Sequence, residues 1–165
     1  MNHPINILFL CTGNSARSIL AEALLNHKAR GQMRGYSAGS DPAGTPNPHA
    51  LALLQDHGID TAGLSSKSWD AFAAPDAAKM DLVITVCDAA ANEPCPYWPG
   101  APLSAHWGLP DPAAIKGNSA AIQAGFADAF AILERRIDAL LALESDAWNA
   151  DTLNRIGAMG AKPEG

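Results

Sequence analysis

Ile5-Asn6-Ile7-Leu8-Phe9-Leu10-Cys11-Thr12-Gly13-Asn14-Ser15-Ala16-Arg17-Ser18 is the stretch from which the rest of the chain can be read. Residues 5–10 are Ile, Leu and Phe with a single Asn, the composition of a strand buried on both faces of a parallel sheet. The strand is expected to stop at Cys11, where small residues that cap helices and tolerate unusual dihedrals take over before a helical pattern begins. Cys11 and Arg17 bracket a short loop made of Thr12, Gly13, Asn14, Ser15 and Ala16. Its backbone N–H groups, with those of Arg17 and Ser18, lie at a helix N terminus and can converge on one anion. Arg17 adds a planar fork of donors that matches two oxygens of a tetrahedral oxyanion. A thiol beside those amides and that guanidinium is favoured as thiolate. The reading is therefore an oxyanion cradle that aims a nucleophile at the centre of its ligand.

Outward from the loop, Leu20, Ala23, Leu24 and His27 recur at helical spacing, predicting a helix over 19–27 with His27 at the partly buried edge of its apolar stripe. Residues 33–37 read as a second strand, closed by turn residues from Ser37 onward. Strand, helix and strand with a long crossover make the right-handed parallel unit. Asn47-Pro48 reads as a cap with proline at the first helical position. Ala50, Leu51 and Leu54 give that helix a buried face, Gly58 ends it, and His49 and His57 read as surface positions. Residues 65–68 should cap a short helix reaching Phe72.

Asp-Leu-Val-Ile-Thr-Val-Cys at 81–87 is the clearest strand of all, and 103–107 is a fourth. Between them, residues 89–102 contain four prolines and must be a surface excursion. Gly108-Leu109-Pro110-Asp111-Pro112 is a turn that would hold Asp111 rigidly. Over 119–143, Ile122, Phe126, Ala129, Phe130, Leu133, Ile137, Leu140 and Leu141 keep a sustained helical period that predicts the helix closing the core.

This alternation implies an α/β fold: a single domain with a four-stranded parallel sheet and helices on both faces. Residues 1–144 form the expected catalytic domain, and 145–165 a C-terminal extension that can hold a short helix around 151–156 before a polar tail. Ligands in such sheets sit at strand carboxyl ends where the order reverses, so Cys11, Ser37 and Cys87, each closing a strand, should crowd one edge.

A chain of 165 residues with 48% hydrophobic and 17% charged content can bury one core. Its net charge of -6 argues against general nucleic-acid binding. No apolar run suits a membrane span and the first residues do not form a signal peptide, so the expected location is the cytoplasm. Three cysteines, Cys11, Cys87 and Cys95, are too few and too odd in number for a secreted disulfide framework.

Taken alone, Cys87 could be inert packing at the end of a buried strand. Cys95 lies in a loop able to fold back and bring the two within the roughly 4.4 to 6.8 Å between Cα atoms that a disulfide requires. A zinc site from Cys87, Cys95 and His106 lacks the paired spacing of structural zinc modules. Asp111 is either the corner of a rigid turn or a carboxylic acid placed to protonate an oxygen expelled by Cys11.

The string at 11–18 closely resembles the active-site loop of the low molecular weight protein tyrosine phosphatases and of the arsenate reductases that share their fold. From residue 5 to about 143 the chain resembles the thioredoxin-coupled arsenate reductases, through that loop, Tyr36-Ser37-Ala38-Gly39, Val83-Ile84-Thr85-Val86-Cys87, Cys95-Pro96, and His106-Trp107-Gly108 before Asp111-Pro112-Ala113. The resemblance implies the low molecular weight phosphatase-like strand order 2-1-3-4, arsenate as substrate, with phosphate or sulfate as analogues, and arsenical resistance as the setting. It assigns Cys11 the attack, Asp111 the proton, Cys87 the release of arsenite, and Cys95 the transfer of the disulfide to a site an external thiol reductant can reach. Asn14 and Ser18 would hold the loop and bond the thiolate. No cofactor is expected beyond the reductant, which is thioredoxin or, as in a related group, glutaredoxin with glutathione.

Three departures stand out. Residues 88–94 form a segment one residue longer than in that family, its second loop cysteine is Ala16 here, and the aromatic residue that phosphatases place after the Asp-Pro pair is Ala113. Several of the reductases bind potassium through residues matching Asn14, Glu22, Ser37, Ser65 and an acidic side chain where this chain has Lys67. The charge reversal predicts no metal there, with the Lys67 ammonium supplying the positive charge and supporting the loop. The competing expectation is a lysine pointing into solvent from a helix start. Two other functions remain open at this point: a tyrosine phosphatase with Cys87 and Cys95 as protective or idle thiols, and a non-catalytic oxyanion or redox sensor that binds a partner protein.

Overall fold

The computed structural model describes residues 5–29, 31–74, 76–86, 103–144 and 147–158. Four strands, β1 (Ile5–Cys11), β2 (Met33–Gly39), β3 (Leu82–Thr85) and β4 (Leu103–His106), form one parallel sheet in the order β2-β1-β3-β4. The α-helices among the described residues are α1 (Arg17–Ala29), α2 (Pro48–Asp56), α3 (Ser119–Ala142) and α4 (Ala150–Gly157).

Period-two alternation along β1 divides the core between two faces. Ile7, Phe9 and Cys11 join the large cluster with Leu20 and Leu24 of α1, Leu54 of α2, Phe126, Leu133 and Ile137 of α3, and Leu153 of α4. Leu8 and Leu10 face the other way, against Ala38, Met80 and Val83, with Tyr36, Trp69 and Phe72 packed over them. Trp69 and Phe72 belong to a 3-10 helix, Trp69–Phe72, capped by the Ser68 side chain as expected. Asn47 caps α2 by accepting from His49 N–H, with Pro48 at the first turn, an arrangement worth about 1 kcal/mol. Gly58, at φ +72°, ends it in the left-handed region.

Several boundaries differ from expectation. The first helix begins at Arg17 rather than at 19, so the oxyanion loop runs directly into its first turn. His27 is exposed, not an edge of the apolar stripe: it lies in the last turn of α1, past the buried Leu20, Ala23 and Leu24. Leu51 is half-buried, and the α2 side chains buried fully are Ala50 and Leu54. His57 is exposed as expected and His49 is half-buried, and their rings lie against Phe130 and Phe126 of α3 with centroids 4.2 and 5.4 Å apart. Ser37 does not end its strand: β2 continues to Gly39, because it stays paired with β1 up to Cys11, and Gly39 N–H also donates to Lys67 O at 2.9 Å. Cys87, Cys95 and the proline-rich excursion at 89–102 lie outside the described residues.

α4 packs into the same core as the rest. Leu153 is fully buried, its carbonyl accepts from Trp107 Nε1 at 2.9 Å, and Asn154 Oδ1 accepts from His106 N–H at 2.8 Å on β4.

Candidate active site

Cys11 is the last residue of β1 and is buried. The loop after it is shaped by what its carbonyls reach. Asp41 N–H donates to Thr12 O, Ala43 N–H and the Ser66 hydroxyl to Gly13 O, and Asn47 N–H to Ser15 O, at 2.8 to 3.2 Å. In a trans peptide the carbonyl of one residue and the N–H of the next point in opposite directions. Carbonyls pulled outward by residues 41–47 and 66 therefore turn the amides of Gly13, Asn14 and Ala16 inward. Asn14 N–H shows the result, donating to Cys11 Sγ at 3.2 Å.

Asn14 sits at φ +46°, in the left-handed region that Asn tolerates better than most residues. That turn buries its side chain completely and fixes the amide orientation. Oδ1 must accept, because its partner is the Lys67 backbone N–H at 2.8 Å. Nδ2 is left to donate to Ser18 Oγ at 2.8 Å, and the Ser18 hydroxyl, 3.0 Å from Cys11 Sγ, donates to the sulfur when it is a thiolate, which has no proton of its own. Two donors thus converge on the sulfur, the surroundings a thiolate requires. Space is equally restricted. A Cβ on Gly39 would collide with the Thr12 carbonyl oxygen, so the end of β2 admits only glycine beside the loop.

Arg17 faces the acid loop. Its Nη1 donates to Leu109 O at 3.0 Å and its Nη2 lies 3.5 Å from Asp111 Oδ2. The other Asp111 oxygen accepts from Ala113 N–H at 3.0 Å, capping a 3-10 turn at Pro112–Ala114. The structure therefore brings Cys11, Arg17 and Asp111 around one loop.

Behind the loop, Ser37 Oγ donates to Glu22 Oε1 at 2.5 Å, and the Lys67 ammonium donates to Ser37 O at 3.0 Å and Ser65 O at 2.6 Å. Lys67 turns inward, against the expectation that it points into solvent. Burial raises the Glu22 pKa above its ordinary value, with the Ser37 hydrogen bond and the Lys67 charge pulling it back. Burial likewise lowers that of Lys67, opposed by Glu22. Asn14, Glu22, Ser37, Ser65 and Lys67 thus form one connected cluster under the cradle. Among the described residues no group of three or more His, Cys, Asp or Glu could hold a metal. His106 Nδ1 instead lies 2.7 Å from Thr85 Oγ1.

Sequence reading missed several residues that shape this site. Gly39 and the 41–47 segment act through backbone contacts that no side-chain pattern announces. Arg136 is different: it is fully buried on α3, and Nη1 and Nη2 donate to Trp107 O at 2.7 Å and Gly108 O at 3.2 Å. A charged residue three positions after Leu133 and four before Leu140, on an otherwise apolar stripe, was a visible signal.

The low molecular weight phosphotyrosine protein phosphatase family matches residues 6–151. An arsenate reductase of Bacillus subtilis is 39% identical over 112 residues, 68% of this chain and 77% of that one. A solved arsenate reductase in a phosphate-binding state superposes with a TM-score of 0.65 at 27% identity, over 84% of this chain and 97% of that one. The thioredoxin-dependent arsenate reductase of Corynebacterium glutamicum superposes with a TM-score of 0.60 at 26% identity, over 85% of this chain and 61% of that one. With a family match across most of its length and a curated relative at that identity, the chain belongs to the arsenate reductases of the low molecular weight phosphotyrosine protein phosphatase family.

Proposed function

We propose that the protein reduces arsenate to arsenite by a thiol relay that begins at Cys11. The observation that carries the reading is the pair of donors, Ser18 Oγ and Asn14 N–H, aimed at Cys11 Sγ inside a loop whose amides face inward. Arsenate seats in the cradle of residues 12–18, with Arg17 across two of its oxygens. The Cys11 thiolate attacks arsenic, and Asp111 protonates the oxygen that leaves as water. The Cys87 thiolate then attacks Cys11 Sγ. The sulfur–arsenic electron pair stays on arsenic, which departs as arsenite, and a Cys11–Cys87 disulfide remains. Cys95 attacks Cys87 and frees the Cys11 thiolate, and the resulting Cys87–Cys95 disulfide is reduced by an external dithiol. No resident cofactor takes part.

Thioredoxin is the proposed reductant, supported by the likeness to a thioredoxin-dependent reductase; glutaredoxin with glutathione is the alternative. The cytoplasm is the proposed site of action, consistent with the absence among the described residues of any helix long and apolar enough to cross a membrane. Residues 1–144 are proposed as the catalytic unit. The test is arsenite production by the purified protein with thioredoxin, and separately with glutaredoxin and glutathione, alongside hydrolysis of a phosphate ester. Sustained arsenite production is expected. Ester hydrolysis without arsenite would return the chain to the phosphatases.

A further inference from the structure

The loop that carries Asp111 is gripped along its backbone by two guanidinium groups. Arg17 takes the Leu109 carbonyl from the side of the oxyanion cradle. From the core, Arg136 takes the two preceding carbonyls, of Trp107 and Gly108. Its position on α3 belongs to the buried face that also carries Phe126, Ala129, Phe130, Leu133, Ile137 and Leu140, all apolar. Moving an ion out of water costs several kcal/mol, and burial pulls the Arg136 pKa down to about 10. A residue so costly for the core is best understood by what it holds.

It holds two consecutive carbonyls at the root of the acid loop. A planar fork of donors fixes both at once, whereas a single ammonium is a point charge with no fork to match them. The far end of the loop returns to the same helix, where Ile115 Cδ1 fills the space a side chain on Gly125 would need. Asp111 lies between these anchors, with its carboxylate over Arg17.

We propose that Arg136 is a positioning residue for the acid: by fixing the Trp107 and Gly108 carbonyls from the core, it sets the reach of Asp111 over the oxyanion cradle. The inference rests on Asp111 being the general acid. Misplacement of a reacting group by about 1 Å can cost on the order of 10²-fold in rate, so a loosened loop root should slow proton delivery while leaving anion binding intact.

A double-mutant cycle tests this. Arsenite release is followed in a single turnover, with reduced enzyme in excess over arsenate and no added reductant, for the parent, Arg136→Met, Arg136→Lys, Asp111→Asn and both Arg136 changes combined with Asp111→Asn. Phosphate affinity is measured on each. Arg136→Met should slow release roughly 10- to 100-fold with phosphate affinity unchanged, Arg136→Lys should recover part of the loss, and neither should slow Asp111→Asn further. Should Arg136→Met fail to fold, the Arg136→Lys arm completes the cycle. A parental rate in both Arg136 variants, or a loss that persists at full size in the Asp111→Asn background, overturns the proposal. A parental rate in Asp111→Asn itself overturns the acid assignment and this inference together, which separates that failure from an inert Arg136.

Discussion

Arg17 Nη2 and Asp111 Oδ2 meet at 3.5 Å across the mouth of the oxyanion loop. The Asp111 side chain is 39% exposed, so water screens the pair and its worth to stability is small. Its worth is in orientation, since each side chain fixes where the other begins. Asp111→Asn should therefore slow the chemical step by roughly 10²- to 10⁴-fold, the usual contribution of a positioned acid. It should also tighten phosphate binding, because a negative charge beside the anion site is gone. Single-turnover kinetics with a phosphate titration check both, and an unchanged rate would leave Asp111 as the corner of a turn.

The chain of donors from Lys67 N–H through Asn14 and Ser18 to Cys11 makes a sharper forecast. In Ser18→Ala the sulfur loses a hydrogen bond of the kind made to charged groups, worth about 1.5–3 kcal/mol. Alkylation of Cys11 by iodoacetamide at neutral pH should slow roughly tenfold or more on that basis. Asn14→Asp should slow it too, since a carboxylate can accept from Lys67 N–H but cannot donate to Ser18. Unaltered alkylation in both variants would mean that the amide of Asn14 alone governs the thiol.

For the cysteines the prediction separates two chemistries. Cys11→Ser should abolish arsenate reduction and any phosphate-ester hydrolysis together, because an unactivated hydroxyl cannot replace the thiolate. Cys87→Ser and Cys95→Ser should each end multiple turnover while sparing ester hydrolysis, which needs no disulfide. Full arsenate turnover with thioredoxin in either of the latter two would refute the relay.

Lys67 and Glu22 supply a test in ions and one in pH. With the ammonium bonded to Ser37 O and Ser65 O, potassium should not activate the parent over sodium at matched ionic strength. Lys67→Asp should acquire a potassium requirement. Lys67→Met removes the charge that holds the Glu22 pKa down against burial, so that pKa rises further. A carboxyl whose folded-state pKa is raised gives stability that is present below its unfolded pKa and lost as pH rises through the folded value. Relative to the parent, Lys67→Met should thus be least impaired in acid and progressively more so from the ordinary carboxylate range upward. Denaturant midpoints across pH give the answer, and parallel curves would uncouple the two residues.

Much of this site was readable because its parts are local. β1, its loop and the start of α1 are contiguous, and each announces itself by composition and by turn-forming or cap-forming residues. The parallel sheet followed from alternation and its order from the family resemblance, and Asn47-Pro48 and Ser68 signalled their caps correctly. What escaped reading depends on contacts between segments far apart in sequence. β2 was expected to end at Ser37 because turn residues begin there, yet it stays paired with β1 through Gly39, opposite Cys11. His27 fits the helical period of its neighbours, but it sits in the last turn of α1 and is exposed there. The outward pull on the loop carbonyls comes from residues 41–47 and Ser66, which read only as a turn and helix caps. Arg136 was in plain sight as a charge on an apolar stripe, but its meaning needed the Trp107 and Gly108 carbonyls beside it.

β4 is the outer strand of the sheet, and such a strand leaves backbone groups free to recruit another chain. The seat of α4 changes that. Asn154 Oδ1 occupies the His106 N–H, and the backbone of Gly157 lies so close to His106 O that a side chain there would clash. The C-terminal helix is thus a cover over the sheet's open margin as well as a contributor to the core. A chain without it would present β4 as a template for strand addition, trading an internal contact for one with a neighbouring molecule.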